Sequence, residues 1–437
     1  MSAVRESDGE VHFSLKYGDG LVEVKLPREN LGFFIEPHPV TPIEDLQSAL
    51  DSAVNNPISS PPLREIIKPS DKVVVVASDI TSLTVRCDIL VPFVLSKLYE
   101  YGVPDQNITI LLGLGTHRRH MPEEQARIVG RDGFRRHRVV DHDCYDPVGC
   151  VRLGTTSRGT PVAINRIVVE ADKVILTGGI DFHALAGFGG GRKALCPGVA
   201  SIETIQANHK MALGQGMHEA LNPACGPGRV AGNPVAEDMD EIAAMVGPHF
   251  LLNTIVNPDA RIVDLVSGHW RDAFAAGREK VRELYSVPIP EKADAIIVSS
   301  GGFPKDINMW QSVRAIHAAA SAVKENAPIV LIAEARDGAG NPEFEKWFEY
   351  PSPEAIRKQL AQDFHLPGSV AMRLLDVAGR HPTYILSSIS DELAQRMHLR
   401  KVKSVDEAIE LVRKQQGTNV RFAVMPYGKA SIPVLSA

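Results

Sequence analysis

A glycine-rich stretch ending in two basic residues is the part of this sequence that suggests chemistry most directly. It runs from Gly178 to Gly198, GGIDFHALAGFGGGRKALCPG, and seven of its 21 residues are glycine. Glycine lets backbone N–H groups approach a ligand without Cβ obstruction, and Arg192 and Lys193 add positive charge directly behind. The combination suits a phosphate, although neither GxxxxGK[ST] nor GxGxxG is present. A flexible surface loop with a solvated basic pair is the other interpretation.

Three histidines lie close to predicted strand or helix ends. His117 follows the strand-like run ITILLGLG, His183 lies five residues after Gly178, and His209 ends the helical stretch SIETIQANH. Open parallel sheets bind ligands beyond the carboxyl ends of their strands, so we expect His117 and His183 to share one crevice. Imidazole can take and return a proton near neutral pH, which suits acid and base catalysis. Six other histidines are expected to be structural or merely exposed: His120, His137, His142, His218, His249 and His381.

Two further segments could hold an anion. Residues 78–82, SDITS, follow an apolar strand-like run and precede a helix, so their hydroxyl and N–H groups could bind an anion or simply cap that helix. Gln311 and Arg314 are three residues apart on a predicted helix and share a face. An arginine there could pair with a carboxylate at two points, or the pair could lie on a solvated face.

Short apolar, β-branched segments alternate with amphipathic segments of helix length. This alternation predicts parallel α/β sheets, and strands that are apolar throughout suit sheets covered on both faces. The predicted strands are Lys72–Ala77, Ile108–Leu112, Lys173–Thr177, Ala295–Ser299, Ile329–Ala333, Thr383–Leu386 and Arg421–Met425. The predicted helices include Asp88–Tyr101, Ile202–Leu213, Trp270–Leu284, Met309–Lys324 and Val405–Gln415.

The chain opens with a predicted β-hairpin and divides near its middle. Alternating residues flank Tyr-Gly-Asp-Gly in the segment 11–27, and the polar, proline-rich segment Ser286–Asp294 is the predicted linker. We therefore expect an α/β fold with two α/β domains, mostly parallel sheets, an interdomain cleft and an N-terminal β-hairpin. The predicted domains are 1–285 and 290–414, with the C-terminal tail, about 415–437, packing back on the first.

Composition excludes several classes of protein. The chain has 437 residues, 44% hydrophobic and 23% charged, which is typical of globular proteins and excludes general disorder. A net charge of -6 provides no overall field for nucleic acid or an anionic membrane. Five scattered cysteines without a CxxC pair argue against a disulfide framework or zinc ribbon. With no leader-like start and no apolar run of about 20 residues, we expect a cytoplasmic protein.

Taken together, the motifs resemble the family of the nickel-dependent lactate racemase and related racemases and epimerases of 2-hydroxy acids. The resemblance rests on Gly115-Thr116-His117, the run HALAGFGGGRK from His183, Pro197-Gly198, Asn208-His209, Gly232-Asn233-Pro234, and GGFPKDINMWQSVR from Gly301 to Arg314. These motifs follow the family's order across most of the chain, and HxxAGFxGGRK is highly specific. The resemblance implies an isomerase that inverts the hydroxyl-bearing carbon by reversible hydride transfer.

The cofactor implied by this resemblance is a nickel-pincer nucleotide, nickel pyridinium-3,5-bisthiocarboxylate mononucleotide. Lys193 then corresponds to the residue that carries it covalently, and His209 to the protein ligand of nickel. Two sulfurs, a ring carbon and one imidazole suit square-planar nickel(II).

The remaining family roles also fall on particular residues. The resemblance implies that His117 and His183 are the catalytic bases and that Gln311 and Arg314 bind the substrate. The implied nucleotide-binding residues are Asp79, Ile80, Thr81, Ser82 and Pro197. Residues 1–285 would thus be the cofactor-binding, catalytic domain, and 290–414 would contribute substrate contacts. The expected partners are a small 2-hydroxy acid and cofactor-maturation enzymes, not nucleic acid or membrane, while self-association is left open.

The sequence departs from the lactate-specific pattern around the substrate. Ser82-Leu83 stands where the lactate enzyme has Arg-Pro, so one cation that pairs with the carboxylate is missing. Arg314 stands in place of the usual lysine, and Trp310 in place of a tyrosine. We therefore expect a bulkier 2-hydroxy acid to be accepted at least as well as lactate.

Two other functions compete with this one. The chain could be a non-catalytic protein that binds a phosphorylated nucleotide through its glycine-rich loop. It could also be a metal hydrolase in which His117, His183 and His209 form a zinc triad, although that leaves Lys193 without a role.

Overall fold

The structure, a computed structural model, describes residues 4–7, 9–214, 221–428 and 430–436. The chain forms two compact units. The larger unit comprises Pro39–Ala212 and Pro223–Leu284, and the smaller unit comprises Met1–His38, Leu213–Asn222 and Tyr285–Ala437.

The regular elements are numbered in chain order. The strands are β1 Arg5–Ser7, β2 Glu10–Tyr17, β3 Gly20–Pro27, β4 Leu31–Phe34, β5 Val73–Ser78, β6 Ile108–Gly113, β7 Arg138–Asp141, β8 Cys150–Thr155, β9 Pro161–Asn165, β10 Lys173–Gly179, β11 Phe182–His183, β12 Gly187–Phe188, β13 Phe250–Val256, β14 Ile262–Gly268, β15 Ser286–Ile289, β16 Ala295–Ser299, β17 Ile329–Ile332, β18 Thr383–Leu386, β19 Arg400–Lys401, β20 Phe422–Met425 and β21 Ile432–Leu435. The α-helices are α1 Leu46–Asn55, α2 Leu63–Ile66, α3 Cys87–Glu100, α4 Pro122–Val129, α5 Arg131–Arg136, α6 Arg166–Val169, α7 Ile202–Lys210, α8 Pro234–Val246, α9 Trp270–Tyr285, α10 Met309–Ala322, α11 Pro342–Lys346, α12 Pro353–Gln362, α13 Leu366–Arg380, α14 Asp391–Arg396 and α15 Val405–Gln416. Short 3-10 helices cover Arg28–Asn30, Ile80–Val85, Asp105–Asn107, Gly191–Ala194 and Trp347–Glu349.

The larger unit is built on one sheet whose strand order is β14-β13-β10-β5-β6-β7. All neighbours run parallel except β13 and β14. The central strands are buried because their apolar side chains pack against helices. Val75 of β5 and Ile110 of β6, for example, belong to the same core as Leu90 of α3. Such a sheet presents its carboxyl-end loops at one edge.

The smaller unit contains a parallel sheet in the order β19-β18-β17-β16-β20-β4. A core that includes Ile296, Leu331 and Ile316 of α10 fills one face. The antiparallel β2–β3 pair packs on the other, where Phe13 and Val24 meet Val330. Both units therefore confirm the predicted α/β class with mostly parallel sheets and an N-terminal hairpin.

The structure differs from the predicted domain boundaries in its two terminal segments. Residues 1–38 belong to the smaller unit, because β4 extends that unit's sheet beside β20. The C-terminal tail also stays in the smaller unit, since β20 pairs with β16 and β21 with β15. The predicted linker Ser286–Asp294 therefore contains a strand, whose backbone partner lies far along the chain.

Among the described helices, none combines the length and the apolar character needed to cross a membrane. The five cysteines form no disulfide bonds.

Candidate active site

The carboxyl ends of three neighbouring strands form the framework of the candidate site in the larger unit. β5 lies between β6 and β10, and Ser78 is paired with Gly113 across β5 and β6. The chain continues from β5 to Asp79, from β6 to His117 and from β10 to His183. Parallel pairing thus starts all three site segments from the same edge of one sheet.

Asp79 and His117 form a direct pair at this edge. Nδ1 of His117 lies 2.5 Å from Oδ2 of Asp79, and the hydroxyl of Thr81 donates to Oδ1 of Asp79 at 2.8 Å. Asp79 is buried, whereas the His117 ring is partly exposed. The carboxylate requires hydrogen on Nδ1, which leaves the lone pair of neutral His117 on Nε2.

The environment keeps Asp79 ionised. Burial raises the pKa of this carboxyl, but the charge of His117 and the hydrogen bonds from His117 and Thr81 outweigh that effect, so the pKa of Asp79 lies below its usual range. The charged carboxylate can stabilise His117 once its ring has gained a second proton. The resemblance assigns Asp79 to the nucleotide loop; the geometry also makes it the group that orients His117.

His120 belongs to the same edge and is structural, one of the two outcomes that the sequence suggested for it. Its Nδ1 lies 2.7 Å from Oδ1 of Asp141 at the end of β7, and its Nε2 accepts the backbone N–H of Ile80 at 3.0 Å. The His120 side chain is 1% exposed. Asp141 and His120 therefore hold the start of the segment Ile80–Val85. A histidine three residues after His117 was the only sequence signal for this pair.

His183 is held by a different kind of contact. Its Nδ1 accepts backbone N–H groups from Leu185 at 3.2 Å and Ala186 at 3.1 Å. Two donors on Nδ1 keep its lone pair there, so the hydrogen of the neutral ring lies on Nε2. His117 and His183 thus present opposite tautomers at Nε2: His117 presents an acceptor and His183 a donor.

The turn after His183 is fixed by Asn233 of the Gly-Asn-Pro motif. The buried Asn233 amide donates to the carbonyl of Leu185 at 2.8 Å, while its oxygen caps the start of α8. The side chain of Asn233 therefore positions the His183 segment from 50 residues downstream.

Two glycines of the glycine-rich loop are required by packing within the protein. Gly187 and Gly191 have positive φ, and a Cβ on them would collide with the backbone of Arg229 and with the ring of Phe274, respectively. The N–H of Gly191 donates to the Asn253 side chain at 2.8 Å. These glycines permit tight packing of the protein against itself, which gives a reason for them besides the approach of a ligand.

Arg192 and Lys193 have different environments. Arg192 is fully buried, forms an ion pair with Asp240 at 2.6 Å and stacks on Phe274. Burial lowers its pKa to about 10, so it stays charged as a structural residue and cannot be a solvated phosphate ligand. Lys193 is only partly buried, on the 3-10 helix Gly191–Ala194.

The ring of His209 is oriented by the backbone of its own helix. It is buried near the end of α7, and its Nδ1 lies 3.0 Å from the carbonyl oxygen of Ile205. That carbonyl requires hydrogen on Nδ1, so the lone pair of the neutral ring lies on Nε2, and a histidine held in this way can bind a metal through Nε2. His117, His183 and His209 do not come together as a metal-binding group, and the described residues contain no cluster of three or more His, Cys, Asp or Glu side chains that does.

The remaining nucleotide-loop residues lie in two segments. Ile80, Thr81 and Ser82 form the first turn after Asp79, where the N–H of Ser82 donates to the carbonyl of Asp79 at 3.0 Å. Pro197 packs near Gly115, whose N–H donates to the carbonyl of Gly198 at 3.0 Å. The segment that carries Pro197 thus contacts the one that leads to His117.

Gln311 and Arg314 lie in the smaller unit, on the first turns of α10. Gln311 is buried and Arg314 partly buried. Asn308 caps this helix by accepting the N–H of Gln311 at 3.0 Å. The two residues share a helix face as predicted.

Comparison with known proteins gives a consistent result. Residues 17–220 match the lactate racemase N-terminal domain and residues 289–433 the lactate racemase C-terminal domain. The chain is 30% identical over 393 residues to the lactate racemase of Lactiplantibacillus plantarum, covering 87% of this chain and 89% of that protein. It is 29% identical over 386 residues to the lactate racemase of Thermoanaerobacterium thermosaccharolyticum, with coverages of 87% and 88%. The lactate racemase apoprotein structure from the latter organism is similar with a TM-score of 0.87 at 28% identity, covering 97% of this chain and 100% of that one.

Proposed function

The chain belongs to the lactate racemase family, and we propose that it is a racemase or epimerase of a 2-hydroxy acid that works by reversible hydride transfer with a nickel-pincer nucleotide. The observation that supports this most directly is the His117–Asp79 pair, which shares one sheet edge with the His183 segment. A proton-transfer pair of this kind is needed because the substrate hydroxyl must lose its proton when the carbinol carbon loses hydride.

His117 is the residue prepared to take that proton. With Nδ1 bound to Asp79, its Nε2 can accept the hydroxyl hydrogen, and the buried carboxylate then stabilises the positive ring. The partial exposure of the ring leaves it accessible to a substrate.

His183 begins from the opposite tautomer. Its Nε2–H donates a hydrogen bond to a substrate oxygen, while Leu185 and Ala186 hold the other side of the ring. To serve as a base in its turn, the ring must move its hydrogen to Nδ1 and give up those two backbone donors. To serve as an acid, either ring must first carry a second proton, which for His183 has to be added at Nδ1. The two histidines therefore exchange acid and base roles from unequal resting states.

The cofactor residues fit the nucleotide. The lone pair of His209 lies on Nε2, as a nickel ligand requires, and a single imidazole is what remains for the protein to supply when the cofactor provides three donors. Lys193 is the partly buried amine of the glycine loop and would carry the covalent link. When bound, the nucleotide supplies the acceptor and donor of hydride.

Substrate orientation falls to the smaller unit in this proposal. Gln311 and Arg314, one turn apart on α10, can together bind the planar carboxylate of a 2-hydroxy acid. The family homologues support a small hydroxy acid as substrate, and Ser82 favours one bulkier than lactate. Maturation enzymes would supply the cofactor, and we expect the reaction in the cytoplasm.

The competing functions explain fewer contacts. A non-catalytic nucleotide binder gives no reason for a buried carboxylate to hold His117 in one tautomer. The zinc hydrolase needs three histidines that can bind one metal ion, and the described residues contain no such group.

The decisive experiment is racemisation in heavy water by the matured protein. One enantiomer each of lactate and 3-phenyllactate is incubated, and the product enantiomer is analysed by chiral separation and mass spectrometry. Hydride transfer keeps the carbinol hydrogen away from solvent, so we expect inverted product without deuterium at that carbon. Deuterium at the inverted carbon would show direct deprotonation, and no inversion of any tested hydroxy acid would contradict the racemase itself.

A further inference from the structure

Two arginines lie on neighbouring helices of the smaller unit. Arg314 lies on α10 and Arg373 on α13, and these helices pack against each other through the same apolar core, which includes Val313 and Leu374. Arg314 is near enough for its charge to act on Arg373. Arg373 is only 6% exposed, so its guanidinium has lost nearly all its water.

Arg373 has little compensation for this burial. Its Nε donates to the carbonyl of Ser369, one turn earlier on the same helix, at 3.3 Å. Within the described ranges it makes no other hydrogen bond and no ion pair. Asp376, the nearest acid along α13, pairs instead with Arg380 at 2.6 Å.

The neighbouring charge that acts most on Arg373 is also positive. Burial and the charge of Arg314 lower the pKa of Arg373 to about 10, which leaves it charged at neutral pH. Burial, together with Arg373 and Arg380, lowers the pKa of His317 on α10 to about 3, so that ring remains neutral. Proteins seldom bury a guanidinium without an anion, because desolvation is costly unless a partner compensates.

We propose that Arg373 binds the carboxylate of the 2-hydroxy acid together with Gln311 and Arg314, as the second cation of the substrate site. This inference rests on the proposed function, because that function makes α10 the substrate-binding helix. Arg373 would also supply a charge that is missing elsewhere, because Ser82 stands where the lactate pattern has an arginine. The chain then still has two cations for one carboxylate, both from the smaller unit.

The test compares Arg373→Met and Arg373→Lys with Arg380→Met as the matched control. Arg380 lies two turns along the same helix, and its side chain is 57% exposed. Lactate and the dicarboxylic acid malate are titrated into the unloaded full-length chains by calorimetry. KM and kcat are then measured for the matured proteins.

We expect Arg373→Met to weaken binding of both acids about tenfold or more and to raise KM by a similar factor with a smaller change in kcat. Arg373→Lys should be intermediate, and Arg380→Met should match the wild type. If Arg373→Met weakened the binding of malate but not of lactate, the proposal would be overturned, since Arg373 would then bind the second carboxylate of malate. Equal behaviour of Arg373→Met and Arg380→Met, or no saturable binding by the wild type, would also overturn it. An inactive matured wild type whose lactate binding still depends on Arg373 would contradict the proposed reaction and leave this inference standing.

Discussion

Asp79 accepts a hydrogen bond from Nδ1 of His117 across 2.5 Å, although 38 residues separate the two along the chain. They meet because β5 and β6 are adjacent and parallel, with Ser78 opposite Gly113. This register fixes the tautomer of a candidate base, and it connects the fold of the larger unit to its chemistry.

Replacing Asp79 with Asn should reduce kcat about 10²–10⁴-fold, because the amide cannot stabilise a doubly protonated His117 and can favour the wrong tautomer. Steady-state racemisation rates would measure the change, with intact mass confirming that the cofactor is still attached. Asp88→Asn is the control, since Asp88 lies in the same unit and pairs with Arg86 rather than with a histidine. Equal rates for both variants would exclude a catalytic contribution from Asp79.

His120→Ala should lower kcat by up to about 100-fold without removing the covalent cofactor, because the N–H of Ile80 loses its acceptor and the loop start shifts. His120→Gln, which keeps an acceptor, should recover part of the rate. The matched control is His269→Ala, an exposed histidine of the same unit. If His120→Ala behaves like this control, the contact with Ile80 does not position the site.

His209→Ala should lose nickel while the nucleotide remains linked to Lys193, since the proposed cofactor keeps three of its own donors. Nickel per chain, measured before and after dialysis against a chelator, gives the retention, and intact mass gives the linkage. Nickel held as tightly as in the wild type would show that His209 is not its ligand.

Acid should destabilise the protein partly through His317. In the folded protein the pKa of His317 is about 3, below the ordinary histidine value of about 6.5. Between these two pH values the unfolded state binds more protons than the folded state. The free energy of unfolding therefore falls as the pH decreases from about 6.5 to about 3. Between about pH 7 and about pH 5 this one group should cost roughly 1–2 kcal/mol of unfolding free energy. Urea unfolding at both pH values should show a smaller loss for His317→Leu than for the wild type, and an unchanged loss for His365→Gln, an exposed control. Equal losses in all three proteins would be inconsistent with a buried, neutral His317.

Local patterns predicted the central elements well. The run from Lys72 to Ala77 predicted β5 to within a residue, and the segment Met309–Lys324 predicted α10, because β-branched runs and helical periodicity are properties of neighbouring residues. The β15–β21 pair could not be predicted in this way, since it aligns Ser286 with Ile432, which lies far from it in the sequence.

The same limit applies to the site. His117 and His183 could be selected by type and position, but the pairing of Asp79 with His117 depends on strand order, which the sequence does not state. Arg192 next to Lys193 suggested two equivalent basic residues. In the structure Arg192 is buried in an ion pair with Asp240, 48 residues later. Lys193 is therefore the residue of the two that remains a candidate for the covalent link.

The most direct test of the account is the mass and metal content of the protein produced together with the cofactor-maturation enzymes. We expect about one nickel per chain and a nucleotide adduct that peptide mapping places on Lys193, because one lysine and one imidazole are the proposed attachments. Lys193→Ala should lack the adduct. Zinc without an adduct on the wild-type chain, under conditions in which a known family member is matured, would contradict the account.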